Sequence, residues 1–142
     1  MRIAAHPGLY EPSDAVPRLR GTRCNACSST FFPPLRIGCE VCGAAEDSLV
    51  PASIAATGAL HSVATVHPQA GHDNAAPFTV AEVQLDDGPL IRGLMVDGAD
   101  IDVIGMRVEA QWTLVRTDDD GNEVVEPRFA LVLAPDQSGG AR

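Results

Sequence analysis

Four cysteines stand in two identical spacings: Cys24-Asn25-Ala26-Cys27 is followed, after eleven residues, by Cys39-Glu40-Val41-Cys42. A CxxC turn aims two thiolates at one point, and two such turns close a tetrahedron. The pattern therefore reads as one four-cysteine zinc site. The intervening stretch is shorter than the commonest spacing of about 15–20 residues, yet it leaves room for a hairpin between the two turns. Gly43 suits a turn that needs positive φ. Iron in a rubredoxin-like centre would take the same four ligands. In an oxidising compartment the four would instead form two disulfides. As a metal site it is closed: all four positions are protein sulfur, whereas catalytic zinc keeps one open. A structural role is expected, and no cysteine is left over as a nucleophile.

The remaining chemistry is sparse. All ten basic residues are arginine, so no lysine can form a Schiff base. No serine sits in a nucleophile-elbow string, and His61, His67 and His72 have no carboxylate at a known spacing. They read as solvated residues of a strand end and a loop. Asp118-Asp119-Asp120 lacks the EF-hand spacing and reads as a hairpin tip. No catalytic residue is expected, and the chain is not expected to act as an enzyme by itself. Arg18, Arg20, Arg23 and Arg36 form the one acid-free basic stretch, between Asp14 and Glu40. They either compensate the negative charge of a tetrathiolate zinc or present a small positive face, for which the forked guanidinium suits phosphate. Phe31 and Phe32 lie between the two turns. They either pack a small ribbon core or line a site for an acyl chain.

The elements that must position these groups are mostly strands. The chain has 142 residues, 45% of them hydrophobic, enough for one ordinary domain or two small ones. No apolar run approaches the ~18 residues of a membrane span, and Met1 to Tyr10 lacks the apolar core of a secretory signal. A cytoplasmic location is expected. The net charge of −9 falls entirely beyond residue 50. With aromatics at only 4%, this disfavours nucleic acid as a partner. Residues 1–20, with Pro7, Pro12 and Pro17, read as an extended arm, 21–50 as the ribbon, and 52–56 as a link. Strands are expected over 61–66, 78–85, 90–96, 106–115 and 129–133, with a 3₁₀ or helical turn within 97–104. The Pro68–Pro77 loop, like the arm, reads as an exposed docking segment. Met106, Val108, Ala110, Trp112 and Leu114 alternate toward one face, which makes Trp112 a core residue. Five strands at this spacing, without a long helix, fit an OB-type Greek-key barrel over 55–135, with a small sandwich as the alternative. Residues 136–142 read as a flexible tail. The fold class is mainly β: an N-terminal rubredoxin-like zinc ribbon followed by a five-stranded OB-fold barrel.

Five strings in this order carry a resemblance: Arg23-Cys24-Asn25-Ala26-Cys27, Phe31-Phe32-Pro33-Pro34, Cys39-Glu40-Val41-Cys42-Gly43, Thr57-Gly58-Ala59-Leu60 and Ile104-Gly105-Met106-Arg107-Val108. Over about residues 18–134 the chain resembles the acyl-CoA-associated zinc-ribbon plus OB-fold family. The resemblance implies one structural Zn²⁺ and a companion of thiolases, thiolase-like aldolases or synthases acting on acyl-CoA. Such a companion has no chemistry of its own and forms a hetero-oligomer with two copies of each chain. Arg18, Arg20, Arg23, Arg36, Phe31 and Phe32 are then the expected CoA- or partner-binding residues. Many members open with an amphipathic helix, which the Pro-rich residues 1–20 do not resemble. A free-standing acyl-CoA binding module and a single-strand nucleic-acid binder are the alternatives.

Overall fold

The structure, a computed structural model, describes residues 1–67, 77–98 and 101–132. The strands are β1 (Arg2–Ala4), β2 (Arg18–Cys24), β3 (Thr30–Phe31), β4 (Leu49–Ala55), β5 (Thr57–Val66), β6 (Phe78–Leu85), β7 (Leu90–Leu94), β8 (Arg107–Thr117) and β9 (Glu123–Leu131). A 3₁₀ turn at Ile101–Val103 falls within the 97–104 stretch.

Strand β6 shows why the second half closes into a barrel. Thr79, Ala81, Val83 and Leu85 alternate inward and are all buried, while Phe78 and Gln84 face out. Such two-residue periodicity gives one apolar face per strand. Those faces meet as the strands curl: β5, β6 and β7 form a meander, β8 pairs with β5, and β9 pairs with β8. The last gap closes through a parallel bridge, Met95 to Phe129, with Val96 N–H donating to the Phe129 carbonyl at 2.8 Å. This is the OB order, with β1 added in parallel to the outer edge of β9. Leu60, Val83, Leu85, Ile91, Val108 and Phe129 fill the interior, each contributing ~1.5–3 kcal/mol by burial. Gly58 is required where β5 crosses β6: a Cβ there would stand 2.1 Å from the Gln84 carbonyl oxygen.

The ribbon is a second sheet, ordered β3-β2-β4. Leu19 of β2 and Ile54 of β4 pair across the sheet and both enter the barrel core. The base of the ribbon therefore shares the barrel's interior. The joint is fixed by the Asp86-Asp87 turn. Asp87 accepts the Ala55 N–H at 3.2 Å, and Asp86 accepts the Thr57 hydroxyl at 3.1 Å and a forked pair of bonds from Arg107 at 2.7 and 2.6 Å.

Several expectations are corrected. Residues 1–20 are not an exposed extended arm: β1 pairs with β9, Tyr10 is 5% exposed and bridges to Leu19, and Pro12 and Pro17 are buried. Residues 52–55 are not a link but half of β4, which pairs with β2 along its whole length. Strand β9 starts six residues earlier than expected, at Glu123 rather than 129. Trp112 is not barrel core. Strand β5 pairs with β8 only at residues 107–109, so beyond Ala110 the face of β8 that holds Trp112 leaves the barrel and meets the N-terminal segment. There Trp112 donates its indole N–H to the Asp14 carbonyl at 2.9 Å and packs against Tyr10 and Arg2, and Leu114 is 53% exposed. The loop expected at Pro68–Pro77, His72, Leu133 and the tail at 136–142 lie outside the described residues, Pro77 excepted.

Candidate metal centre

Both cysteine turns have the same local form. Cys24 ends β2; the Ser28 N–H returns to its carbonyl at 2.7 Å, and Ser28 sits at φ 68°. In the second turn the Gly43 N–H returns to the Cys39 carbonyl at 3.0 Å, and Gly43 sits at φ 79°. Gly43 adopts this left-handed conformation freely, whereas Ser28 does so at a steric cost. The two turns face each other. Cys24 Sγ lies 3.7 Å from Cys42 Sγ, Cys27 Sγ lies 3.6 Å from Cys39 Sγ, and all four sulfurs fall within 4.8 Å of one another.

These distances exclude the disulfides that the sequence left open. They far exceed the ~2.05 Å of a disulfide, and all four cysteines are free. A regular tetrahedron with Zn–S of about 2.3 Å has S–S edges of about 3.8 Å, which the two measured pairs match. The donors also need a cation. The Ser29 hydroxyl, then its N–H, hold the Cys27 thiol down to about 6. The Ala44 N–H pulls Cys42 down, but burial and the crowding sulfurs of Cys24, Cys39 and Cys27 together outweigh it and push Cys42 up to about 12. Four adjacent thiolates form only around a positive charge that offsets their repulsion. Val41 and Cys42 add backbone N–H contacts to Cys39 Sγ at 3.4 Å, orienting a ligand from outside the coordination shell. The residues fit one zinc held by Cys24, Cys27, Cys39 and Cys42. With no position open to water or substrate, the ion's chemistry is to fix the ribbon.

The other expected site residues are dispersed. Arg18 hydrogen-bonds Ser53, and Arg20 pairs with Glu11 at 3.2 Å. Both point to one exposed face of β2, and Arg20 borders a surface cavity together with Arg36. Arg23 faces the other way, beside Thr30, Ser53 and Asp87. Among the described residues, the side chains of Arg23 and Arg36 have neither an ion-pair nor a hydrogen-bond partner. The four arginines therefore do not form one cluster. Phe31 pairs with Thr22 inside the ribbon sheet, while Phe32 reaches across to pack on the barrel core. His61 and His67 are exposed. Asp118 accepts the N–H groups of Asp120 and Asn122 at 3.0 and 2.8 Å, which fixes a hairpin tip. Sequence reasoning missed the Asp86–Arg107 joint and the contact of His6 with Glu126 at 3.7 Å. Both join residues that only the barrel topology makes neighbours. No helix among the described residues is long and apolar enough to cross a membrane.

Comparison with known proteins extends this geometry. Residues 14–48 match the model of the ChsH2 rubredoxin-like zinc ribbon domain, and residues 52–113 match that of the ChsH2 C-terminal OB-fold domain. A DUF35 domain-containing scaffold protein of Methanocaldococcus jannaschii is 32% identical over 106 residues, covering 72% of this chain and 74% of the relative. Another from Methanothermobacter thermautotrophicus is 29% identical over 108 residues, covering 75% and 79%. Among solved structures, a chain of the Ltp2-ChsH2(DUF35) aldolase superimposes with a TM-score of 0.61 at 27% identity, covering 82% of this chain and 86% of that one.

Proposed function

The chain belongs to the DUF35 family, whose zinc ribbon and OB-fold it shares with ChsH2, and on that premise we propose that it is a non-catalytic accessory subunit of a thiolase-type or thiolase-like aldolase acting on acyl-CoA. The observation that carries this reading is the match of both modules, in order and over most of both chains, to a chain of the Ltp2-ChsH2(DUF35) aldolase. The chemistry of the residues supports it. The metal site is closed, lysine is absent, and the four cysteines are all used by the zinc. Such a chain influences a reaction by binding, through stabilising its partner and shaping substrate access. In this reading two thiolase-like subunits form a central dimer, one copy of this chain sits on each, and the complex is cytoplasmic.

The contacts fall to the ribbon. Arg23 and Arg36 are exposed and unpaired among the described residues, so they meet CoA phosphates or an acidic patch on the partner at little cost in broken ion pairs. Arg18, Arg20, Phe31 and Phe32 supply the surrounding frame. Replacing Arg23 and Arg36 together by Gln should weaken CoA-ester affinity or assembly while zinc content stays at one per chain. Unchanged affinity and assembly would leave these arginines as charge compensation for the tetrathiolate centre. Thioester turnover by the partner-free chain, abolished by one substitution in it, would overturn the non-catalytic assignment.

A further inference from the structure

A groove runs along the junction of the N-terminal segment, the ribbon and the barrel. Its deep end is a cavity of ≈ 220 Å³ lined by Leu19, Ile91 and Phe129, all buried, with Leu9 and Phe32 at its sides. Leu9, Phe32 and Ile91 also line a second cavity, which carries the groove outward to Pro33 and the exposed Leu90. The walls come from segments far apart in sequence, and they are fixed by bonds of their own. The Arg20 N–H donates to the Leu9 carbonyl at 2.8 Å, and Tyr10 bridges to Leu19. The hollow is thus built into the joint between modules.

Its polar rim is already satisfied. Arg92 pairs with Glu82 at 3.5 Å. Glu126 pairs with Arg128 at 2.6 Å and meets His6 at 3.7 Å. The Tyr10 hydroxyl takes the His6 N–H at 3.0 Å and donates to the Val125 carbonyl at 3.3 Å. An ionic ligand would have to compete with these pairs for each charge and would lose its own hydration. An uncharged apolar group would lose only its contact with water.

We propose that this junction groove binds an uncharged alkyl or aryl group of about six to eight carbons, a size that follows because an apolar cavity of about 150 Å³ takes benzene. The site lies on this chain alone and stands independently of the accessory-subunit reading, so its test needs no partner.

The probes are 1-hexanol and hexanoate, which share a chain and differ in charge. The zinc-loaded full chain is titrated with each while backbone amide NMR follows Gly93 and Ile91 on β7 and Tyr10 on the N-terminal segment. Saturable shifts are expected with 1-hexanol, with hexanoate at least tenfold weaker. Leu9→Trp, which fills the groove from its rim, should weaken 1-hexanol at least tenfold while the amides of Leu60 and Val83 stay in place. Should Leu9→Trp not fold, Leu94→Phe on β7 fills the same cavity and carries the same expectation. An absence of saturable shifts at Gly93 would overturn the proposal. So would hexanoate binding as tightly as 1-hexanol, or full binding by the filled variant. A groove silent to 1-hexanol but protected when a partner protein is added would also overturn it, as a protein-docking groove instead.

Discussion

Removing zinc from this chain should melt the tip of the ribbon and spare the barrel. Between residues 24 and 48 the only buried side chains are Cys24 and Cys39. No apolar residue there is fully removed from water, so the tip has no hydrophobic core of its own. Backbone bonds such as Asn25 N–H to the Ser48 carbonyl and Cys39 N–H to the Ala44 carbonyl each contribute only about 1 kcal/mol net. A four-thiolate zinc supplies ~10–16 kcal/mol of apparent folding free energy at neutral pH, and dominates every other contribution. The base of the ribbon differs, because Leu19 and Ile54 are anchored in the barrel core. Chelation, or Cys39→Ser, should therefore collapse the amide resonances of residues 25–48 to random-coil positions. Those of β5 to β9 should keep their dispersion, with the barrel's urea midpoint nearly unchanged. The reasoning fails if metal-free protein keeps residues 25–48 ordered, or if the barrel unfolds together with the tip.

Three further perturbations test the joint and the barrel. Arg107 holds the Asp86 carboxyl down to about 2, helped by the Thr57 hydroxyl, so its stabilising effect is present above the ordinary value of 3.8 and lost as pH falls toward 2. The pair is half exposed, so Asp86→Asn should cost only about 1 kcal/mol or less at neutral pH, and urea midpoints measured from pH 5 to pH 2 should flatten in the variant. Gly58→Ala places a methyl against the Gln84 carbonyl and should destabilise the barrel by about 1–3 kcal/mol, read from thermal melts. Tyr10→Ala removes the buried ring that packs on Trp112. It should cost about 3–4 kcal/mol and shift the emission of this only tryptophan to the red.

The metal centre was legible because its information is local: two short turns with fixed sulfur spacing carry the whole tetrahedron, and Gly43 marks the turn it closes. The barrel was legible where strands alternate cleanly, as in β6. It was hidden where packing overrides pattern. Strand β9 opens on Glu123-Val124-Val125-Glu126-Pro127, and its charges and proline disguise a strand. Pro127 falls between the β1 pairing and the β7 bridge on the outer edge of β9, where a strand tolerates proline. Trp112 follows the alternation of β8 faithfully, but the register of β5 ends too early for that face to stay inside. The N-terminal segment was the largest miss. Three prolines suggested an exposed, extended arm, whereas this segment lays β1 on β9 and buries Tyr10. Nothing local signals such pairing between the two ends of the described chain.

The central claim is that this chain works as one part of a hetero-oligomer. A stable interface of ~1,200–2,000 Å² in total, half of it on each partner, would take about a tenth of its 8747 Å² surface. Co-expression with a thiolase-like protein, followed by size exclusion with light scattering, measures this directly. The account predicts a single species with the mass of two copies of each chain, carrying one zinc per copy of this one. Separate elution of the two chains at micromolar concentration, with the thiolase-like protein equally soluble and active alone, would contradict it and leave a free-standing acyl-CoA binding module as the better reading.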